Sequence, residues 1–181
     1  MSEADRAWFV EAIRSVDPDQ RVVSVSEVQG VRQIHYSEQI RSGETRHRNA
    51  DPEELARALA IALLCSGRYG YSPERMYIEQ GHSIGRPSAS RAQVDLVLYY
   101  LEEDGSETVF AMWEFKSPDE YKPDTDPLIE KQLFDTAPLL APSLLVYATV
   151  KPQVADIECI TIDYGAHKSF ERWNAVGRPS T

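Results

Sequence analysis

Two apolar runs decide the fold: Ala92-Gln93-Val94-Asp95-Leu96-Val97-Leu98-Tyr99-Tyr100-Leu101 and Thr108-Val109-Phe110-Ala111-Met112-Trp113-Glu114-Phe115. Between them stands Glu102-Glu103-Asp104-Gly105-Ser106-Glu107. Asp-Gly between alternating apolar stretches is the strongest short-range signal for a β-hairpin. With Asp104-Gly105 as a two-residue turn, Glu103 pairs with Ser106. Counting back along both strands then sets Asp95 opposite Glu114. Directly opposite residues have Cβ atoms about 4.5–5.5 Å apart, and like charges there are destabilising. Lys116 follows Glu114 by two residues and points to the same face. This trio gains a sheet little stability; it suits a divalent cation and an activated water. The alternative is a buried ion pair of Lys116 with Asp95 or Glu114, which leaves one carboxylate over.

Both hairpin faces read as apolar. One carries Val94, Leu96, Leu98 and Tyr100 against Val109, Ala111, Trp113 and Phe115. The other carries Asp95, Val97 and Tyr99 against Phe110, Met112 and Glu114. Strands apolar on both faces belong in the middle of a sheet covered by helices.

Upstream, apolar residues from Asp5 to Val16 recur at helical spacing, and a helix is expected there, ending before Asp17-Pro18. Strands are expected over 21–28 and 31–36, around Gln29-Gly30. Residues 41–48 form a basic loop, either a solvated one or a phosphate contact. Asn49 or Asp51 caps a helix opening Pro52-Glu53-Glu54, apolar nearly all round to Cys65 and halted by Gly67 or Gly70. A strand over 76–80 and a turn-rich stretch over 81–90 lead into the hairpin. Beyond it, a helix over 128–137 stops at Pro138, strands follow at 144–149 and 157–162, and a short helix covers 169–176. Glu79 reads equally as a site neighbour or as the solvent face of an edge strand.

The 181 residues suit one domain with a sizeable core, 42% apolar and 27% charged, as in soluble globular proteins. No apolar run reaches membrane-spanning length. Cys65 and Cys159 are isolated, lack metal-ligand spacing and fit buried thiols in a reducing cytoplasm. The four histidines also lack ligand spacing. A net charge of −10 argues against a strong grip on nucleic acid by this chain alone, because that grip comes from Lys and Arg on phosphates. Further domains or subunits are expected to supply it. Gly177 to Thr181 reads as the start of a linker.

Several of these residues together resemble the PD-(D/E)xK nuclease superfamily, and most closely the N-terminal nuclease domain of type I restriction enzyme R subunits. They are Pro52-Glu53-Glu54 opening the first core helix, the Glu79 strand, Asp95, Glu114-Phe115-Lys116, Gln132, and Pro142 before the Leu144 strand. The likeness spans about Asp51 to Thr149. It implies an α/β fold of restriction-endonuclease type, a mixed central sheet flanked by helices. Residues 1–50 would be a small helix and hairpin extension, 51–176 the nuclease core and 177–181 a tail. The resemblance further implies a metal site of Asp95, Glu114, the Phe115 carbonyl and Glu54. Lys116 would position or polarise the water, and Gln132 would orient groups near the site. The implied cofactor is Mg²⁺, with Mn²⁺ as substitute. The implied partners are double-stranded DNA and translocase, methyltransferase and specificity domains or subunits. Val94 stands where the superfamily has Pro, and Thr136 where type I enzymes often have Tyr. A stand-alone repair nuclease and a non-catalytic module of the same fold remain as alternatives.

Overall fold

The computed structural model describes residues 1–43, 45–83, 91–124 and 127–181. The chain has a mixed α/β fold, with a central mixed sheet flanked by helices and an N-terminal helix and hairpin. Two compact units are distinguished. One comprises Met1–Arg75, Phe115–Tyr121 and Ala148–Glu158; the other comprises Met76–Glu114, Lys122–Tyr147 and Cys159–Thr181.

In the first unit, helix α1 spans Glu3–Val16. It starts two residues before the expected Asp5 because Ser2 closes a capping box. The Ser2 hydroxyl accepts the Asp5 N–H, and the Asp5 carboxylate accepts the Ser2 N–H. Asp17 ends the helix and accepts the backbone N–H groups of Arg21, Val22 and Val23 at 2.7–3.0 Å. Strands β1 (Val23–Val28) and β2 (Val31–Tyr36) then form the expected hairpin. Its turn residues Gln29 and Gly30 both have positive φ, as hairpin turns whose twist matches the strands require.

The basic segment is not loop throughout. It contains β3 (Arg41–Ser42) and β4 (His47–Asn49), and β4 pairs with β2 in a three-stranded sheet ordered β1-β2-β4. The Arg46 guanidinium is turned onto the Ile40 carbonyl. Helix α2 spans Pro52–Cys65. Asp51 is its cap, its carboxylate accepting the Glu54 N–H, and Ser66 ends it. Every residue from Glu54 to Leu64 is buried, and α1 and β1 pack against this helix.

In the second unit, β5 (Met76–Ser83) and β6 (Arg91–Leu101) pair antiparallel, and β6 pairs antiparallel with β7 (Glu107–Phe115). The order continues through β8 (Leu144–Val150) to β9 (Ile157–Asp163). Strand β5 runs past the expected end at 80, so residues 81–83 are strand; the rest of the turn-rich stretch, 84–90, lies outside the described residues.

The hairpin turn corrects the expected two-residue one. The last pair is Leu101↔Glu107, and residues 102–106 form the loop. Gly105 (φ +84°) donates its N–H to the Glu102 carbonyl, and the Glu102 N–H returns to the Ser106 carbonyl. Near the turn every pair is therefore one residue out from the expected register. Between Leu98 and Tyr99 the register shifts: Tyr99 pairs with Val109, but Leu98 with Ala111. Phe110 is the extra residue of a β-bulge. Beyond it the expected pairs hold, through Val97↔Met112 to Leu96↔Trp113. Burial on both faces is confined to this far half, where Val94, Leu96 to Leu98 and Ala111 to Phe115 are buried. Tyr100 and Leu101 are exposed.

The expected helix over 128–137 is broken. A π-helix covers Ile129–Phe134, and a separate helix α3, Ala137–Leu140, has Pro138 in its first turn. Proline is tolerated there because its missing N–H has no helical acceptor. Helix α4 (Phe170–Ala175) is capped by Ser169. The cysteines differ from the expectation. Cys65 is only partly buried, its thiol pushed up to about 12 by burial and by the Asp17 carboxylate, and Cys159 is exposed on β9.

Candidate active site

In the second unit, Asp95 and Glu114 stand at the far end of the β6–β7 register. The paired register runs to Leu96↔Trp113, and Asp95 and Glu114 are the next residues along the two antiparallel strands. Glu114 is 2% exposed, while Asp95 is half-buried.

A third carboxylate stands at this level. On the β5 side, Ile78↔Leu96 and Gln80↔Val94 bracket Glu79 and Asp95. Glu79 is 8% exposed, so it is not on a solvent face. Its φ of +52° lies in the left-handed region, unusual for a non-glycine residue inside a strand. Alternation along β5 marks Glu79 as the odd polar residue among Met76, Tyr77 and Ile78, the one signal of it in the sequence.

Gln132 lies on the π-helix, which packs on β6, the strand of Asp95. Its Oε1 is buried without a hydrogen-bond partner. π-Helical segments occur often at functional sites.

The first unit holds the other expected residues. Phe115 ends β7, fully buried. The Lys116 N–H donates to the Ala148 carbonyl, and the Lys116 carbonyl accepts the Thr149 hydroxyl, both at 2.9 Å, so this backbone is held on both sides. The Lys116 ammonium, on a buried side chain, lies 3.4 Å from Glu53 Oε2.

Glu54 is engaged within the first unit. It is 5% exposed; one oxygen accepts the Tyr36 hydroxyl, and the other is ion-paired with Arg57 one helical turn on. Burial and the adjacent Glu54 carboxylate push the Tyr36 hydroxyl well above its ordinary range, so it stays a donor. Both Glu54 oxygens are committed inside the protein.

The donor set fits a hard divalent cation in part. Carboxylate and backbone carbonyl oxygens are ligands of the kind Mg²⁺ takes while keeping several waters. Asp95 and Glu114 in the second unit, and the Phe115 carbonyl in the first, are donors of that class, while Glu54 is engaged by Tyr36 and Arg57. Among the described residues, no three His, Cys, Asp or Glu side chains group around one metal position. Also among them, no helix is long and apolar enough to cross a membrane. No protein-family model and no curated protein sequence matches this chain.

Proposed function

We propose that this chain is a metal-dependent DNA endonuclease domain of PD-(D/E)xK type, part of a type I-like restriction or defence enzyme. The observation that carries the proposal is a buried Glu114 carboxylate that follows Trp113 in an otherwise apolar stretch of β7, with Asp95 the next residue past Leu96 on the neighbouring strand. A buried carboxylate near a second one raises an electrostatic cost that a divalent cation would offset.

Hydrolysis adds water across one P–O bond of a phosphodiester, leaving a phosphate monoester and a hydroxyl. A bound Mg²⁺ supplies charge neutralisation and a lower pKa for the attacking water. Asp95, Glu114 and the Phe115 carbonyl would hold that ion. Lys116, as a cation beside the water, favours its deprotonated form and meets the charge that develops on phosphate. Gln132, with a buried oxygen still able to accept, would orient a donor on the water or the DNA. Translocase, methyltransferase and specificity partners would supply the DNA grip that a chain of net charge −10 lacks.

A non-catalytic module of the same fold is the second reading, and the internal commitment of Glu54 favours it. Nicking of supercoiled plasmid with Mg²⁺ or Mn²⁺, run beside Glu114→Ala and Lys116→Ala, separates the two. Cleavage by wild type alone supports the nuclease. Equal cleavage by all three would place the activity elsewhere. Absence of cleavage together with absence of metal binding would leave the module.

A further inference from the structure

Glu53 and Glu54 are neighbours on the first turn of α2, yet successive side chains leave a helix about 100° apart. They cannot do the same work. Glu54 points inward to Tyr36 and Arg57. Glu53, 41% exposed, borders a cleft of about 420 Å³ with Asp51, Pro52, Ser117 and Asp119, and its Oε2 lies 3.4 Å from the Lys116 ammonium. Both ends of this pair are anchored. The Asp51 cap and Pro52 fix the start of α2, and Ala148 and Thr149 fix the Lys116 backbone. The freedom left to Lys116 lies in its four-carbon stem, which carries a large rotamer entropy.

We infer that Glu53, rather than Glu54, is the α2 carboxylate that works with Lys116, as its positioning residue. This rests on the nuclease reading above. Glu53 touches neither metal nor DNA in this role. It restrains the ammonium so that the ammonium is in place before the water is, and fixed geometry of this kind contributes to the rate rather than to substrate binding.

The test uses the full chain with Glu53→Gln, Glu53→Asp, Lys116→Met and the double variant Glu53→Gln/Lys116→Met. Glu53→Gln should lower kcat for plasmid nicking about tenfold with KM for plasmid unchanged, since the pair acts after binding. Glu53→Asp should recover part of that loss. The double variant should be no slower than Lys116→Met alone, the signature of two residues acting as one. In labelled protein the two Lys116 ε-methylene protons should be inequivalent by NMR, and should merge in Glu53→Gln. An unchanged kcat in Glu53→Gln, or losses that multiply in the double variant, overturns the inference while the nuclease reading stands. If wild type neither nicks nor binds metal, that reading fails, and the positioning role with it. The Lys116 methylene signals then show separately whether Glu53 holds the ammonium.

Discussion

Two adjacent glutamates, one turned inward and one bordering a cleft, show how far a single helical step separates neighbouring side chains. Glu54 and Arg57 form a buried ion pair, and such a pair is costly to break from one side because the surviving charge stays buried. Glu54→Ala should therefore destabilise the chain by about 3–5 kcal/mol in urea unfolding. Glu53→Gln removes a part-exposed charge and should cost less than about 1 kcal/mol in the same measurement. Equal losses would contradict the division. His35 and His47 offer a second residue-scale case. They stand opposite each other on β2 and β4, rings 4.3 Å apart, with the Ser26 hydroxyl 2.7 Å from His35 Nε2. Burial first, and His47 second, hold the His35 imidazole below its ordinary value of 6.5. The neutral ring is then the form that folding favours. Its stabilisation is complete above the ordinary value and is lost as pH falls from there through the depressed folded value. Replacing His47 by Gln should raise the His35 midpoint in an NMR titration, without restoring it fully, because burial remains. A midpoint that does not move would leave burial as the whole cause.

Elements show where the sequence was legible and where tertiary structure overruled it. Helix α2 was readable from Asp51, Pro52 and an apolar run to Cys65, because capping and composition are local. The β6–β7 hairpin was readable in kind but not in detail. Asp104-Gly105 announced a turn, yet a five-residue loop with its own Glu102–Gly105 and Glu102–Ser106 hydrogen bonds replaced the two-residue one. The bulge at Phe110 cancelled that error before it reached Glu114. The Ser143 N–H that donates to the Val109 and Phe110 carbonyls comes from a segment 33 residues on from Phe110, contact that no local pattern encodes. The same holds for the π-helix at Ile129–Phe134, whose apolar residues alone suggested an ordinary α-helix. The register up to Leu96↔Trp113 was legible because alternation fixes faces; Glu53's contact was not, since Lys116 lies 63 residues away. Gly105→Ala tests the loop. At φ +84° a Cβ is strained although nothing lies within 4 Å of it, so the variant should lose about 1 kcal/mol in thermal unfolding. A neutral result would mean that the loop readily adopts another turn.

For the whole molecule, charge is the quantity that the proposed nuclease reading must answer to. At −10, phosphate is repelled in the absence of metal, and the buried Glu114 carboxylate adds to that repulsion at the proposed site. A divalent ion that supports binding but not hydrolysis reverses the local sign. Calcium, a hard oxygen-seeking cation like magnesium, serves as that probe. At fixed ionic strength, Ca²⁺ should tighten binding of a labelled DNA duplex by wild type about tenfold, a change of about 1.4 kcal/mol. Glu114→Gln should behave in the opposite way. Without metal it should bind duplex more tightly than wild type, because one negative charge has gone. With Ca²⁺ it should gain little, because a ligand has gone too. Fluorescence anisotropy reads both constants on one preparation. The crossing of the two responses is what identifies Glu114 as a metal ligand, since simple screening of −10 by added cation would tighten both proteins alike. Parallel responses would assign the calcium effect to the surface and leave the β6–β7 carboxylates without a metal.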